Sequence, residues 1–136
     1  SDFIMKKAIT LILLIFVVNL SSNETLYFNC EALELSSIGK KIEYYTYKKG
    51  EKVHSLSINK RENLVSWRRN TFEFTEDYNK DNIYEFDKYT GPHTIRIRFN
   101  GVTGRLEDQR GYKLTDGSRQ SDTTEYQCKK TEPIFN

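Results

Sequence analysis

The chain has 136 residues, which bounds it to one domain, and its 21 Lys/Arg against 19 Asp/Glu leave a formal net charge of +2. That near balance excludes binding to nucleic acid through bulk positive charge. Two cysteines and two histidines, with no ligand spacing between them, exclude a structural zinc site and leave no cofactor or metal to expect.

The first stretch with a clear character is Met5-Lys6-Lys7, a short basic segment. An apolar run from Ala8 to Val18 follows, broken only by Thr10, and then the small and polar Asn19-Leu20-Ser21-Ser22. This order predicts a secretory signal peptide. The apolar run is about half of the ~20 residues a membrane-spanning helix needs, so membrane contact is expected only through this segment if it is retained. The sequence therefore divides into residues 1–22, upstream residues plus signal peptide, and residues 23–136, a single domain in a secreted or periplasmic location. In that setting Cys30 and Cys128, near the two ends of the domain, are expected to form a disulfide.

From Leu26 onward the pattern is β. Leu26, Phe28 and Cys30 alternate with Tyr27, Asn29 and Glu31 and predict a first strand, with a break over Glu34–Gly39. Tyr44, Tyr45 and Tyr47 mark a strand over 42–47, Lys49-Gly50 a hairpin turn, and Val53–Ile58 the return. Leu64–Arg68 and the Phe72/Phe74 pair give two more strands. Asp77, Asn79 and Asp81 have the oxygen spacing of a calcium loop, but Asn82 stands where such loops need Gly and Lys88 where they need Glu, so a polar turn is expected.

Ile83–Phe86 leads through Tyr89-Thr90-Gly91-Pro92 into Thr94–Phe99, where Ile95, Ile97 and Phe99 alternate with Arg96 and Arg98. Asn100-Gly101 signals a hairpin and Gly104–Glu107 starts the return strand. Asp116–Thr123 reads as a loop, and Glu125–Lys129 as the last strand, with Tyr126 and Cys128 on one face. The sum is an all-β chain, an antiparallel meander closing into a small barrel or a two-sheet sandwich behind the signal-peptide helix.

Chemistry-bearing patterns are few. His54 lies within a strand and His93 follows a turn, neither at motif spacing to a nucleophile, so no catalytic residue is assigned. Lys and Arg outnumber Glu between Lys40 and Asn70, while acids outnumber Lys between Thr71 and Thr90. Two readings follow: cross-strand ion pairs, or a surface that steers an anionic partner. Arg96, Arg98 and Arg105 are the candidate binding face for such a partner, provided no carboxylate neutralises them.

The segment Arg98-Phe99-Asn100-Gly101-Val102-Thr103-Gly104-Arg105-Leu106, with the Tyr126-x-Cys128 close, resembles small exported proteins of marine bacteria and their phages. The resemblance spans about the last third of the chain and implies export and a β fold, with no site. The expected function is surface binding to an unidentified protein or anionic partner, as an inhibitor-like accessory module. A small barrel carrying a hydrophobic or small-molecule ligand is the alternative. No nucleic-acid partner and no enzymatic activity are expected.

Overall fold

The computed structural model describes residues 25–73 and 82–132. The expected signal peptide, residues 77–81 of the expected polar turn, Phe74 and Pro133 lie outside the described residues. Nine antiparallel strands are present among them: β1 Leu26–Ile38, β2 Glu43–Thr46, β3 Val53–Asn59, β4 Leu64–Trp67, β5 Asn70–Glu73, β6 Ile83–Thr90, β7 His93–Asn100, β8 Arg105–Lys113 and β9 Arg119–Thr131. They form one sheet in the order β5-β4-β3-β1-β9-β8-β7-β6, with β2 paired to β1 off that path. The sheet curls into a nearly closed barrel. Phe72 of β5 meets Phe86 of β6 at 5.1 Å between ring centroids across the gap.

The first and last strands lie side by side in the middle of this sheet. Cys30 faces Cys128 directly, and the two form a disulfide with 3.9 Å between their Cα atoms. Neither is therefore an edge strand. Each is flanked on both sides, β1 by β3 and β9 by β8.

The expected break at Glu34–Gly39 is corrected. β1 continues to Ile38 through a bulge between Ala32 and Glu34. The extra residue moves the buried phase from Phe28, Cys30 and Ala32 to Ser37, so strict alternation stops predicting a strand there. The bulge also divides the β1 edge. Residues Leu26–Glu31 pair with β3, and Glu34–Ser37 pair with β2. The chain leaves β1 where Tyr47 N–H donates to Leu33 O (2.9 Å). It returns where Ala32 N–H donates to Lys52 O (2.9 Å). Lys49-Gly50 is thus an excursion from one interrupted edge and not a hairpin turn, because β2 and β3 do not pair with each other.

The two Thr-Gly turns differ. Thr90 faces His93, so Gly91-Pro92 is a two-residue loop. Gly91 has φ +59 and Pro92 fixes the second position near −65°, as a type II′ turn requires. In the second turn Asn100 Oδ1 accepts the N–H groups of Val102 (2.9 Å) and Thr103 (3.1 Å). There the left-handed residue is Gly104, φ +77, rather than Gly101. The loop expected over Asp116–Thr123 is shorter than its composition suggests. The turn ends at Ser118, and Arg119 already begins β9.

Inside the curl, Phe28, Leu56, Ile58, Val65, Trp67, Phe72, Tyr84, Phe86, Ile97, Phe99, Leu106 and Tyr126 are buried with the disulfide. Phe28 packs edge-on against Phe99 at 4.9 Å, and Trp67 against Tyr126 at 4.9 Å.

Two measurements check this architecture. Replacing both cysteines by serine removes a cross-link between residues separated by 98 positions, which lowers unfolding free energy by about 4–5 kcal/mol in the chain-entropy model, read from denaturant melts. Gly104→Ala places a Cβ 2.5 Å from Cys128 O at a positive φ. Its destabilisation of about 2–4 kcal/mol is expected in the same melts.

Candidate functional site

The three arginines singled out from the sequence lie on the outer face, and each has a carboxylate. Arg96 Nε pairs with Asp87 and Arg98 Nε with Glu85, both at 3.2 Å, and Arg105 with Glu125 at 3.6 Å. Arg98 and Arg105 share a shallow hollow with Glu107 and Glu125, which face one another across β8 and β9. Burial, then the neighbouring Glu34, push the Glu125 carboxyl up. This face is mixed in charge: two of these pairs join the acidic β6 to β7 and the third joins β8 to β9, as local cross-strand pairing dictates.

Further along the same outer face the charge changes. A groove of about 470 Å³ opens where Gly111 leaves the β8 surface without a side chain. Arg96, Lys113 and Arg119 line it, with Ile38 and Tyr89 on its rim and no carboxylate among its described lining residues. Ile38 is 67% and Tyr89 68% exposed. Lys113 and Arg119 are directly opposite each other on β8 and β9, a like-charge pair that costs stability rather than adding it. Asp116, in the turn between them, is engaged by Lys40 at 2.7 Å.

The groove wall is held by local hydrogen bonds. Gln120 Nε2 donates to Lys41 O (2.8 Å) and its Oε1 accepts Lys41 N–H (3.1 Å), which pins the chain after β1. Gly39, φ +145, permits that approach, since a Cβ there would stand 2.5 Å from Arg119 O.

Inside the barrel lies a second charged cluster. Asp108 is 2% exposed. It accepts from Trp67 Nε1 (2.9 Å), from Arg68 (3.2 Å) and from Arg110 through Nε (3.0 Å) and a second nitrogen (3.3 Å). The turn between β4 and β5 is built on Arg68 and Arg69, both at positive φ (48° and 68°). This is the type I′ geometry that normally calls for Asn or Gly, and it costs about 1–3 kcal/mol per such residue. The bonds from Trp67 and Arg68 to Asp108 hold the turn in that shape.

His54 packs beside the rings of Trp67 (5.6 Å) and Tyr126 (6.0 Å). Burial, then the Arg68 guanidinium, lower its pKa. Burial pushes the Tyr126 hydroxyl up to about 12. Together these keep a neutral imidazole and a neutral phenol beside Asp108 at pH 7. His93 lies apart, its ring 6.5 Å from that of Tyr112.

Sequence reasoning missed Asp108, Arg110, Gly111, Lys113 and Arg119. A signal for Asp108 was present, because the alternation that buries Leu106 also turns Asp108 and Arg110 inward. Arg119 was hidden by a Gly/Ser/Asp-rich segment that reads as loop. Among the described residues no three His, Cys, Asp or Glu side chains are grouped to hold a metal ion.

Asp108→Ala leaves two guanidinium groups without their shared carboxylate and is expected to cost about 3–5 kcal/mol, read from denaturant melts. The His54 imidazole, lowered in the fold, takes up a proton more readily when unfolded. The unfolded chain therefore binds more protons as pH drops below the ordinary value of 6.5, and stability falls over that limb. His54→Phe is expected to flatten it in melts taken across pH. The Asp116 carboxyl, held near 2 first by Lys40 and then by Ser118, contributes stability that is lost only at lower pH and stays in the variant.

No family model matches the chain, and no curated protein and no solved structure is similar to it.

Proposed function

We propose that the domain is an exported, non-catalytic binding module that docks an anionic partner, an acidic segment of another protein, in the groove over Gly111. The observation that carries this reading is the pair Lys113 and Arg119, which meets no carboxylate among the described residues, beside a concave surface with an exposed apolar rim. A like-charge cross-strand pair is a cost to the free fold, and an acidic ligand turns it into a gain. Ile38 and Tyr89 add apolar contact beside the charge, the combination that fixes a partner rather than merely attracting one.

The disulfide is consistent with an oxidising compartment, which supports export. The carrier alternative has less support, because Leu56, Ile58, Val65, Trp67, Ile97 and Phe99 fill the interior with no exposed surface. The absence of catalysis is part of the proposal. It draws on the oxygens of Asp108, which are already engaged by Trp67, Arg68 and Arg110, and on the raised Tyr126 hydroxyl, which is not a ready nucleophile.

The test is fluorescence anisotropy with a labelled peptide of alternating glutamate and leucine at low ionic strength. Saturable binding is expected, weakened about tenfold or more by Lys113→Glu with Arg119→Glu and by added salt. A second variant keeps the charge and fills the groove: Gly111→Leu with Thr94→Ala, the latter removing an Oγ1 that would stand 2.7 Å from the new Cβ. Equal affinity in the filled variant and the parent would overturn the assignment.

A further inference from the structure

We propose that the inner mouth of the barrel is a second site, which binds a single oxyanion group, a carboxylate or a phosphate, between Lys52, Arg68 and Arg110.

Its first support is charge. Arg68 and Arg110 both spend hydrogen bonds on Asp108, one carboxylate for two guanidinium groups. Lys52, whose Nζ is 5.8 Å from the Tyr47 ring, feels the charges of Arg68, Asp108 and Arg110, and it makes no ion pair among the described residues. Asp122, opposite Arg110 on β9, accepts instead from the Tyr112 hydroxyl (3.0 Å) and makes no ion pair with Arg110. Three cations therefore converge on one engaged carboxylate. Burial and the Arg68 charge lower the Lys52 pKa, as expected where positive charge is in excess.

The second support is independent of charge. Tyr126 has no exposed surface, yet among the described residues its hydroxyl has no hydrogen-bond partner, and neither has the buried His54 Nε2. Buried polar atoms are nearly always paired, and an orphan costs about 1–3 kcal/mol. Both orphans lie in the Asp108 cluster, and both side chains pack on Trp67. A ligand oxygen would accept from the tyrosine hydroxyl, and from His54 in the tautomer with its proton on Nε2. The third support is the Arg68-Arg69 turn, held in an unfavourable backbone shape that delivers Arg68 to this place. Strain of that kind collects at ligand sites.

The lone Trp67 makes the site directly readable. Inorganic phosphate and acetate are titrated separately against the oxidised protein at constant ionic strength, with chloride as control, following tryptophan fluorescence. A saturable change with phosphate, acetate or both, and none with chloride, is expected. The better of the two names the ligand class. Lys52→Met should weaken binding about tenfold, the loss expected for one charged hydrogen bond. Tyr126→Phe should weaken it severalfold while leaving the anion-free melting temperature unchanged or higher. A purely structural tyrosine hydroxyl would instead lower it. The groove variant Lys113→Glu with Arg119→Glu should leave the titration intact, which separates this site from the outer one. A change that is linear, that chloride reproduces, or that persists in Lys52→Met would overturn the proposal.

Discussion

A single buried carboxylate joins the two halves of this barrel. Asp108 stands on β8, while Trp67 and Arg68 belong to the β4–β5 turn, and three strands (β3, β1 and β9) separate them around the sheet. The bonds therefore cross the interior rather than following a ladder. They tie together a sheet whose end strands β5 and β6 are not paired among the described residues, with the Phe72–Phe86 contact spanning the gap. An ionised side chain at 2% exposure is tolerable only because its oxygens are matched by donors that are themselves charged or aromatic. Remove that match and the arginine turn loses its reason to hold positive φ, Trp67 loses its orientation, and the ring contacts to His54 and Tyr126 loosen with it.

The other organising constraint is the pairing of first and last strands. β1 and β9 are the two longest strands, 13 residues each, and their ladder runs through the disulfide. Their far ends reach past the apolar core, and the outer groove and much of the inner polar surface lie there. Extra length beyond the core is what a small barrel can give to function without thinning its packing.

The strands themselves were legible because a period of two survives wherever one face is buried, as at Thr94–Phe99 and Leu26–Cys30. It failed where geometry breaks the period. The bulge near Leu33 shifts the buried phase and hid the second half of β1. The shared edge of β1 made Lys49-Gly50 read as a hairpin, because turn residues announce a change of direction but not the partner. The arginine face was placed on the correct side of the sheet, while its ion pairs depended on register with β6 and β9, which residue types alone do not fix. Asp108 was passed over because a carboxylate in a strand is ordinarily solvated, and only its partners from a distant turn make it a buried hub.

The hub can be observed directly. Trp67 is the lone tryptophan, so its indole N–H gives one unambiguous proton resonance. Hydrogen exchange of that proton in the oxidised protein reports whether the bond to Asp108 crosses the barrel. Strong protection is expected, comparable to that of the central amides of β1 and β9, and its collapse in Asp108→Ala. An indole proton that exchanges as fast as free tryptophan in the intact domain would contradict it.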